Sequence, residues 1–247
     1  MKKIGFLLLL LPSLLSAQPL RIAVAANAQF VMDKLRVAFE RQSGQRVETI
    51  VSSSGKLTTQ IQQGAPYDVF LSADMTYPNT LHKQQLTLAA PTIYAYGSLV
   101  LWTLRDLPLT ADLSVLLNPA VRHIAVANPA TAPYGSAAIA LLTSRQLNAR
   151  VQPRLVFGES IAQVNQYILS GAAEVGFTAK SVVLDPSLSG RGHWIDLPAT
   201  AYPPIAQGVV ILRRTTQPKA ARQFVAFLRS PAARRILQQF GYRSPAS

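Results

Sequence analysis

The sequence predicts an α/β protein of two successive units, each a mainly parallel sheet flanked by helices. Three observations predict it: strand-length apolar runs alternate with helical periodicities, the turns between them are small or hydroxyl-bearing, and the pattern restarts after Pro91. Residues 20–26 form a short apolar run typical of a buried parallel strand. Asn27 follows, and then Phe30, Leu35, Val37, Ala38 and Phe39 at helical spacing. Gly44 ends that helix, and the β-branched alternation of residues 47–51 reads as a second strand. The sequence SSSGK at 52–56 opens a second helix through Leu57 and Ile61, which stops at Gly64-Ala65-Pro66. Residues 68–72 are a third strand.

Beyond Pro91, residues 97–103 read as one long apolar strand with no helix after it. The second unit follows as strand 124–127, turn 128–135, helix 136–147, strand 154–157, turn 158–160, helix 161–169 and strand 174–178. Tyr202-Pro203-Pro204 breaks the chain before a strand at 207–212 and one basic, amphipathic terminal helix. In sheets of this kind ligands gather at the carboxyl ends of the strands.

With 247 residues, 49% hydrophobic and 14% charged, the chain can bury a large core, which excludes disorder. The absence of cysteine excludes disulfides, thiol catalysis, thiolate metal sites and a lipidated N-terminal Cys, and His82, His123 and His193 do not make a multi-His metal site. The formal charge of +13 points to an anionic partner. Residues 1–17 carry Lys2 and Lys3, an apolar run at 4–11, Pro12 and the small pair Ser16-Ala17. This is the pattern of a secretory signal peptide cleaved before Gln18, too short in its apolar part for the roughly 20 residues a membrane span needs. The mature protein is therefore expected to be periplasmic, soluble, monomeric and not embedded in a membrane. After Asp196 no acidic residue occurs, whereas Arg213, Arg214, Lys219, Arg222, Arg229, Arg234, Arg235 and Arg243 follow. Export and the lack of interleaved aromatics argue against nucleic acid and for a solvated basic helix face.

Four strand-to-helix turns carry the candidate chemistry: Ala26-Asn27, residues 52–55, residues 132–135 and residues 159–161. A helix N-terminus offers unspent N–H donors and a partial positive charge, so several converging turns make an anion site without formal charge. Each turn taken singly also reads as plain N-capping. Ser53 and Lys56 match the S-x-x-K nucleophile motif of serine acyltransferases, but the chain has no K-T-G and no S-D-N partner motif. Asp68 and Asp74 flank the third strand and read either as an acid/base pair or as structural caps. Tyr134 reads either as an interface aromatic or as a donor to a ligand.

Taken in order, AVAAN at 23–27, SSGKL at 53–57 with Gln60-Ile61, GAPYDVFLSAD at 64–74, NPATAPYG at 128–135, GES at 158–160 with Gln163, and GAAEVGF at 171–177 resemble the periplasmic molybdate-binding proteins of ABC transporters. The resemblance implies a periplasmic-binding-protein fold with two lobes joined by two hinge strands: residues 18–98 and 203–247 in the first lobe, 99–202 in the second. It implies a bound molybdate or tungstate, no cofactor, and a membrane permease as partner. Carried over by position, Asn27, Ser54, Tyr134, Ile161 and Ala26 surround the oxyanion. They hold its metal only through its oxygens, and no basic side chain touches it. Ala26 stands where some relatives have a hydroxyl residue, and Ala179 where another subgroup has a ligand-contacting Tyr.

The chemistry fits that implication. Molybdate and tungstate only accept hydrogen bonds, whereas monohydrogen phosphate brings a donor that meets another donor. Sulfate is excluded by size, because donors fitted to a larger anion are left unpaired at about 1–3 kcal/mol each. The surplus arginines raise the capture rate at long range. Two alternatives stand beside this reading: a two-lobed binder of another oxyanion or small organic anion, and an exported serine acyltransferase using Ser53 and Lys56.

Overall fold

The computed structural model describes residues 18–245; the leader read at residues 1–17 lies outside the described residues. The chain runs β1 (Leu20–Ala25), α1 (Gln29–Ser43), β2 (Val47–Ser52), α2 (Ser54–Gln62), β3 (Val69–Ser72), α3 (Thr76–Lys83), β4 (Thr92–Gly97) and β5 (Leu99–Thr103). It continues through β6 (Ile124–Ala127), α4 (Pro133–Ser144), α5 (Asn148–Val151), β7 (Leu155–Gly158), α6 (Ile161–Ser170), β8 (Val175–Ala179), α7 (Lys180–Val183), β9 (His193–Asp196), β10 (Ile205–Ile211), α8 (Pro218–Phe227) and α9 (Pro231–Gln239).

Two five-stranded sheets have matching topologies, β2-β1-β3-β10-β4 and β7-β6-β8-β5-β9. In each, a parallel trio (β2-β1-β3 and β7-β6-β8) is extended by one antiparallel strand. That strand is the one that has just crossed from the other lobe: β5 enters the second sheet, and β10 returns to the first. A last strand, β4 or β9, pairs antiparallel to it and so runs with the trio. Four strands of five thus point one way in each lobe, and the two sets of carboxyl ends supply the turns that face each other across the cleft.

Three expectations are corrected. Residues 97–103 are not one strand: β4 ends at Gly97 in the first sheet and β5 begins at Leu99 in the second, so Ser98 is the crossing. A Cβ at Gly97 would collide with the Tyr134 phenol, which explains why the crossing has no side chain there. The basic terminal segment is two helices, not one, because Ser230 caps a new start by accepting the Ala233 N–H at 3.1 Å and Pro231 occupies its first position. All eight basic residues after Asp196 are exposed, as a solvated face requires. The structure also shifts α4 three residues earlier than the periodicity suggests, which brings Pro133-Tyr134-Gly135 into its first turn.

In the first lobe α1 and α8 pack on the sheet through Phe39, Phe224 and Phe227. Phe39 stands edge-on to Phe224 with ring centroids 5.2 Å apart. The second lobe's core is built on β5, β6, β8, α4 and α6, and continues to Ala25, Ala26 and Ala73 at the strand ends of the first lobe. Apolar packing is thereby continuous across the cleft. Phe224 is fully buried, so Phe224→Ala should cost about 3–5 kcal/mol by loss of transfer energy and an unfilled cavity. A lowered urea midpoint with an unchanged second-lobe signal checks this.

Candidate functional site

Ala25, Ala26, Asn27, Ser53, Ser54, Ala73, Ala132, Pro133, Tyr134 and Ile161 line one small, narrow cleft between the lobes. The five residues singled out by sequence, Ala26, Asn27, Ser54, Tyr134 and Ile161, are brought together here from four separate turns. No residue lining the cleft is charged.

The donor inventory follows from how each turn spends its N–H groups. At the start of α2, the Ser53 Oγ accepts the Lys56 N–H at 3.4 Å, the Leu57 N–H goes to the Ser53 carbonyl, and the Gly55 N–H crosses the cleft to the Thr131 carbonyl at 2.9 Å. The Ser54 N–H is left over. The Ser54 Oγ accepts the Ala73 N–H at 3.0 Å, which leaves its own O–H to donate elsewhere. In α4, Pro133 has no N–H, and Gly135 and Ser136 both donate to the Ala132 carbonyl, leaving the Tyr134 N–H. In α6, Ser160 gives no side-chain cap, and the Ile161 N–H, at the first helical position, has no intrahelical partner. The Asn27 N–H lies in a single 3₁₀ turn, Ala26–Ala28, after β1. Among the described residues, none of these four N–H groups donates to another protein group.

The remaining atoms of two site residues do something else. The Tyr134 phenol points away, toward Gly97 and the Gln207 amide. Burial pushes it well above the usual range, with the nearby phenols of Tyr242, Tyr94 and Tyr202 adding to the effect, so it stays neutral. The Asn27 amide turns back from the cleft. Its Nδ2 donates to Gln207 Oε1 at 2.7 Å and to Tyr242 Oη at 3.0 Å, while the Asn27 carbonyl accepts the Ser181 hydroxyl at 2.6 Å. Gln207, Ser181 and Tyr242 are buried members of this site that sequence reasoning missed. The one available signal was a glutamine inside the apolar run of β10.

Charge sits at the rim. Lys56 Nζ pairs with Glu159 Oε1 of the opposite lobe at 2.5 Å, both side chains about half exposed. The S-x-x-K motif is therefore divided: the Ser53 Oγ caps α2 and the Lys56 ammonium bridges the lobes. The two acids are separated as well. Asp68 accepts the Arg21 N–H and the Thr215 hydroxyl at one end of β3. Asp74, at the other end, accepts the Tyr77 N–H and the Ser72 hydroxyl, and burial raises its pKa above the ordinary carboxylate value. No group of three or more His, Cys, Asp or Glu residues suited to a metal ion occurs among the described residues, and no helix among them is long and apolar enough to cross a membrane.

Comparisons with known proteins place the fold. A family profile described as bacterial extracellular solute-binding protein matches residues 20–243. The chain is 39% identical to the molybdate-binding protein ModA of Azotobacter vinelandii over 92% of its own length and 90% of the relative's. It is 35% identical to the ModA of Rhodobacter capsulatus, covering 89% and 86% respectively. The solved structure of the Azotobacter vinelandii periplasmic molybdate-binding protein superimposes with a TM-score of 0.88 at 35% identity, covering 92% of this chain and all of that one.

Closure across the cleft depends on Gly55. A Cβ there would stand 2.9 Å from Tyr77 Oη and 3.0 Å from Thr131 Cα, against the Gly55–Thr131 hydrogen bond and the Tyr77 hydroxyl that donates to the Ala130 carbonyl. Gly55→Ala should hold the lobes apart at a cost of about 1–3 kcal/mol in the closed state alone. Small-angle scattering with ligand present should then show a larger radius of gyration than the parent, while the ligand-free melting midpoint stays close to the parent's.

Proposed function

The chain belongs to the family of bacterial extracellular solute-binding proteins, and from that membership we propose that it captures molybdate, and with it tungstate, between its lobes and delivers the anion to the membrane permease of an ABC transporter. In this reading the protein is exported through the leader at residues 1–17 and acts as a periplasmic monomer. Its first lobe comprises residues 18–98 and 203–247 and its second residues 99–202.

The observation that carries the reading is the meeting of unspent neutral donors in one uncharged cleft: the N–H groups of Asn27, Ser54, Tyr134 and Ile161, and the Ser54 hydroxyl. Closed without a ligand, each buried donor lacks a partner at about 1–3 kcal/mol. A tetrahedral dianion supplies lone pairs to all of them at once, and three helix N-termini add partial positive charge of about half a unit each. The anion thus stabilises the closed arrangement over the open one, and the permease receives a closed, loaded protein. Ala26 offers no hydroxyl to the anion. Phosphate is rejected because its own proton faces a donor, and sulfate because it is too small to reach all donors.

Calorimetric titration of dialysed protein tests this: molybdate and tungstate should bind and raise the melting midpoint, and phosphate should do neither. Binding of phosphate or of a carboxylic acid in their place contradicts it. Ser54→Ala should cost about 1.5–3 kcal/mol, or ten- to a hundredfold in affinity. Lys56→Gln should cost less than about 1 kcal/mol and progressively less as salt is raised, because a half-exposed pair at the rim is screened.

A further inference from the structure

Asn27 is held by more hydrogen bonds than its place in a three-residue 3₁₀ turn requires. An amide nitrogen carries two hydrogens. Asn27 Nδ2 has two acceptors, Gln207 Oε1 at 2.7 Å and Tyr242 Oη at 3.0 Å, so its side chain has no N–H left for a ligand. The Asn27 carbonyl is engaged as well, by Ser181 Oγ at 2.6 Å and Tyr242 Oη at 3.2 Å. What remains of the residue for the cleft is its backbone N–H.

Gln207 holds the other side of this arrangement. It is fully buried in β10, at the irregularity where the pairing with β4 shifts register. Its Nε2 donates to the Ala73 carbonyl at 3.1 Å and the Ile205 carbonyl at 3.2 Å. The Ala73 N–H, on the same residue, is the group that orients the Ser54 hydroxyl. A single side chain therefore ties two cleft-lining turns, at Asn27 and at Ala73, to the strand by which the chain re-enters the first lobe. Burial pushes the Tyr242 phenol up to about 12, so it remains an O–H that can accept from Asn27 and donate onward.

We propose that Gln207 is a positioning residue for anion capture. It consumes the Asn27 amide so that Asn27 serves through its backbone N–H, and it sets the Ala73 turn that aims the Ser54 hydroxyl. The inference rests on the oxyanion reading above, and goes beyond it by assigning the Asn27 side chain to the scaffold. A double-mutant cycle decides it, with molybdate as the probe. Gln207→Leu and Asn27→Ala should each weaken binding about tenfold, and the double variant should bind within twofold of the weaker single, because both break the same link. In ¹⁵N-labelled parent protein, the Asn27 backbone amide should shift on saturation with molybdate while its side-chain NH₂ pair stays in place, whereas in Gln207→Leu the freed side-chain NH₂ pair should move with the anion as well, an effect that a merely structural role does not produce. Losses that multiply, a Gln207→Leu affinity within twofold of the parent, or side-chain signals that move with the anion in the parent would overturn the proposal. If Gln207→Leu fails to fold, Gln207→Met, which keeps the side-chain length without its amide, is held to the same criteria. A parent that binds sulfate and not molybdate overturns the choice of ligand instead, and the cycle is then read with sulfate.

Discussion

The structure depends on one constraint: backbone N–H groups at the first turns of helices have no partner of their own, and this fold aims several of them at one closed space. The matched topologies of the two sheets produce the convergence. Because four strands in each lobe run the same way, the carboxyl ends of β1, β2 and β3 face those of β6 and β7, and the turn that follows four of them offers an N–H at Asn27, Ser54, Tyr134 or Ile161. The partial positive ends of α2, α4 and α6 repel one another in a cleft with no acidic side chain, and the unspent donors add to the strain of closing it empty. An acceptor-only anion removes both penalties together. Affinity and closure are then the same event.

Formal charge has a separate place in this arrangement. The exposed arginines of the terminal helices lie on the outer surface of the first lobe, and Lys56 is spent on Glu159 at the rim. They attract an anion through the field of the whole molecule, which falls away within about 10 Å at moderate salt, and they leave selection to geometry. Neutral donors suit selection better than ammonium groups, since a fixed N–H direction distinguishes an acceptor from a donor whereas a charge attracts every anion alike. Behind the cleft, a buried polar knot of Asn27, Gln207, Tyr242 and Ser181 joins the first lobe to α7 of the second.

Most of this was legible locally. Ala26, Asn27, Ser54, Tyr134 and Ile161 each sit beside a small-residue turn between an apolar strand and a periodic helix, and the resemblance to molybdate-binding proteins places them in one site. The sequence could not reveal which atom of each residue is free. Asn27 looks like a side-chain donor until its amide is found bonded to groups 180 and 215 residues away. Likewise, Ser53 looks like a nucleophile beside Lys56 until the lysine is seen reaching to the other lobe. The crossing at Ser98 was hidden because apolar residues continue through it: buried residues stand on both sides, three of the six in β4 and all five in β5, and hydropathy does not record which sheet a strand joins. The division of the terminal helix had a visible cause in Ser230-Pro231, outweighed by the unbroken basic periodicity on either side.

Whether neutral donors alone hold the oxyanion is decided by a crystal structure of the molybdate-loaded protein. The four anion oxygens should lie at about 2.7–3.1 Å from the backbone nitrogens of Asn27, Ser54, Tyr134 and Ile161 and from the Ser54 hydroxyl, with every Lys and Arg side chain outside hydrogen-bond reach. An ammonium or guanidinium group in contact with the anion would contradict it.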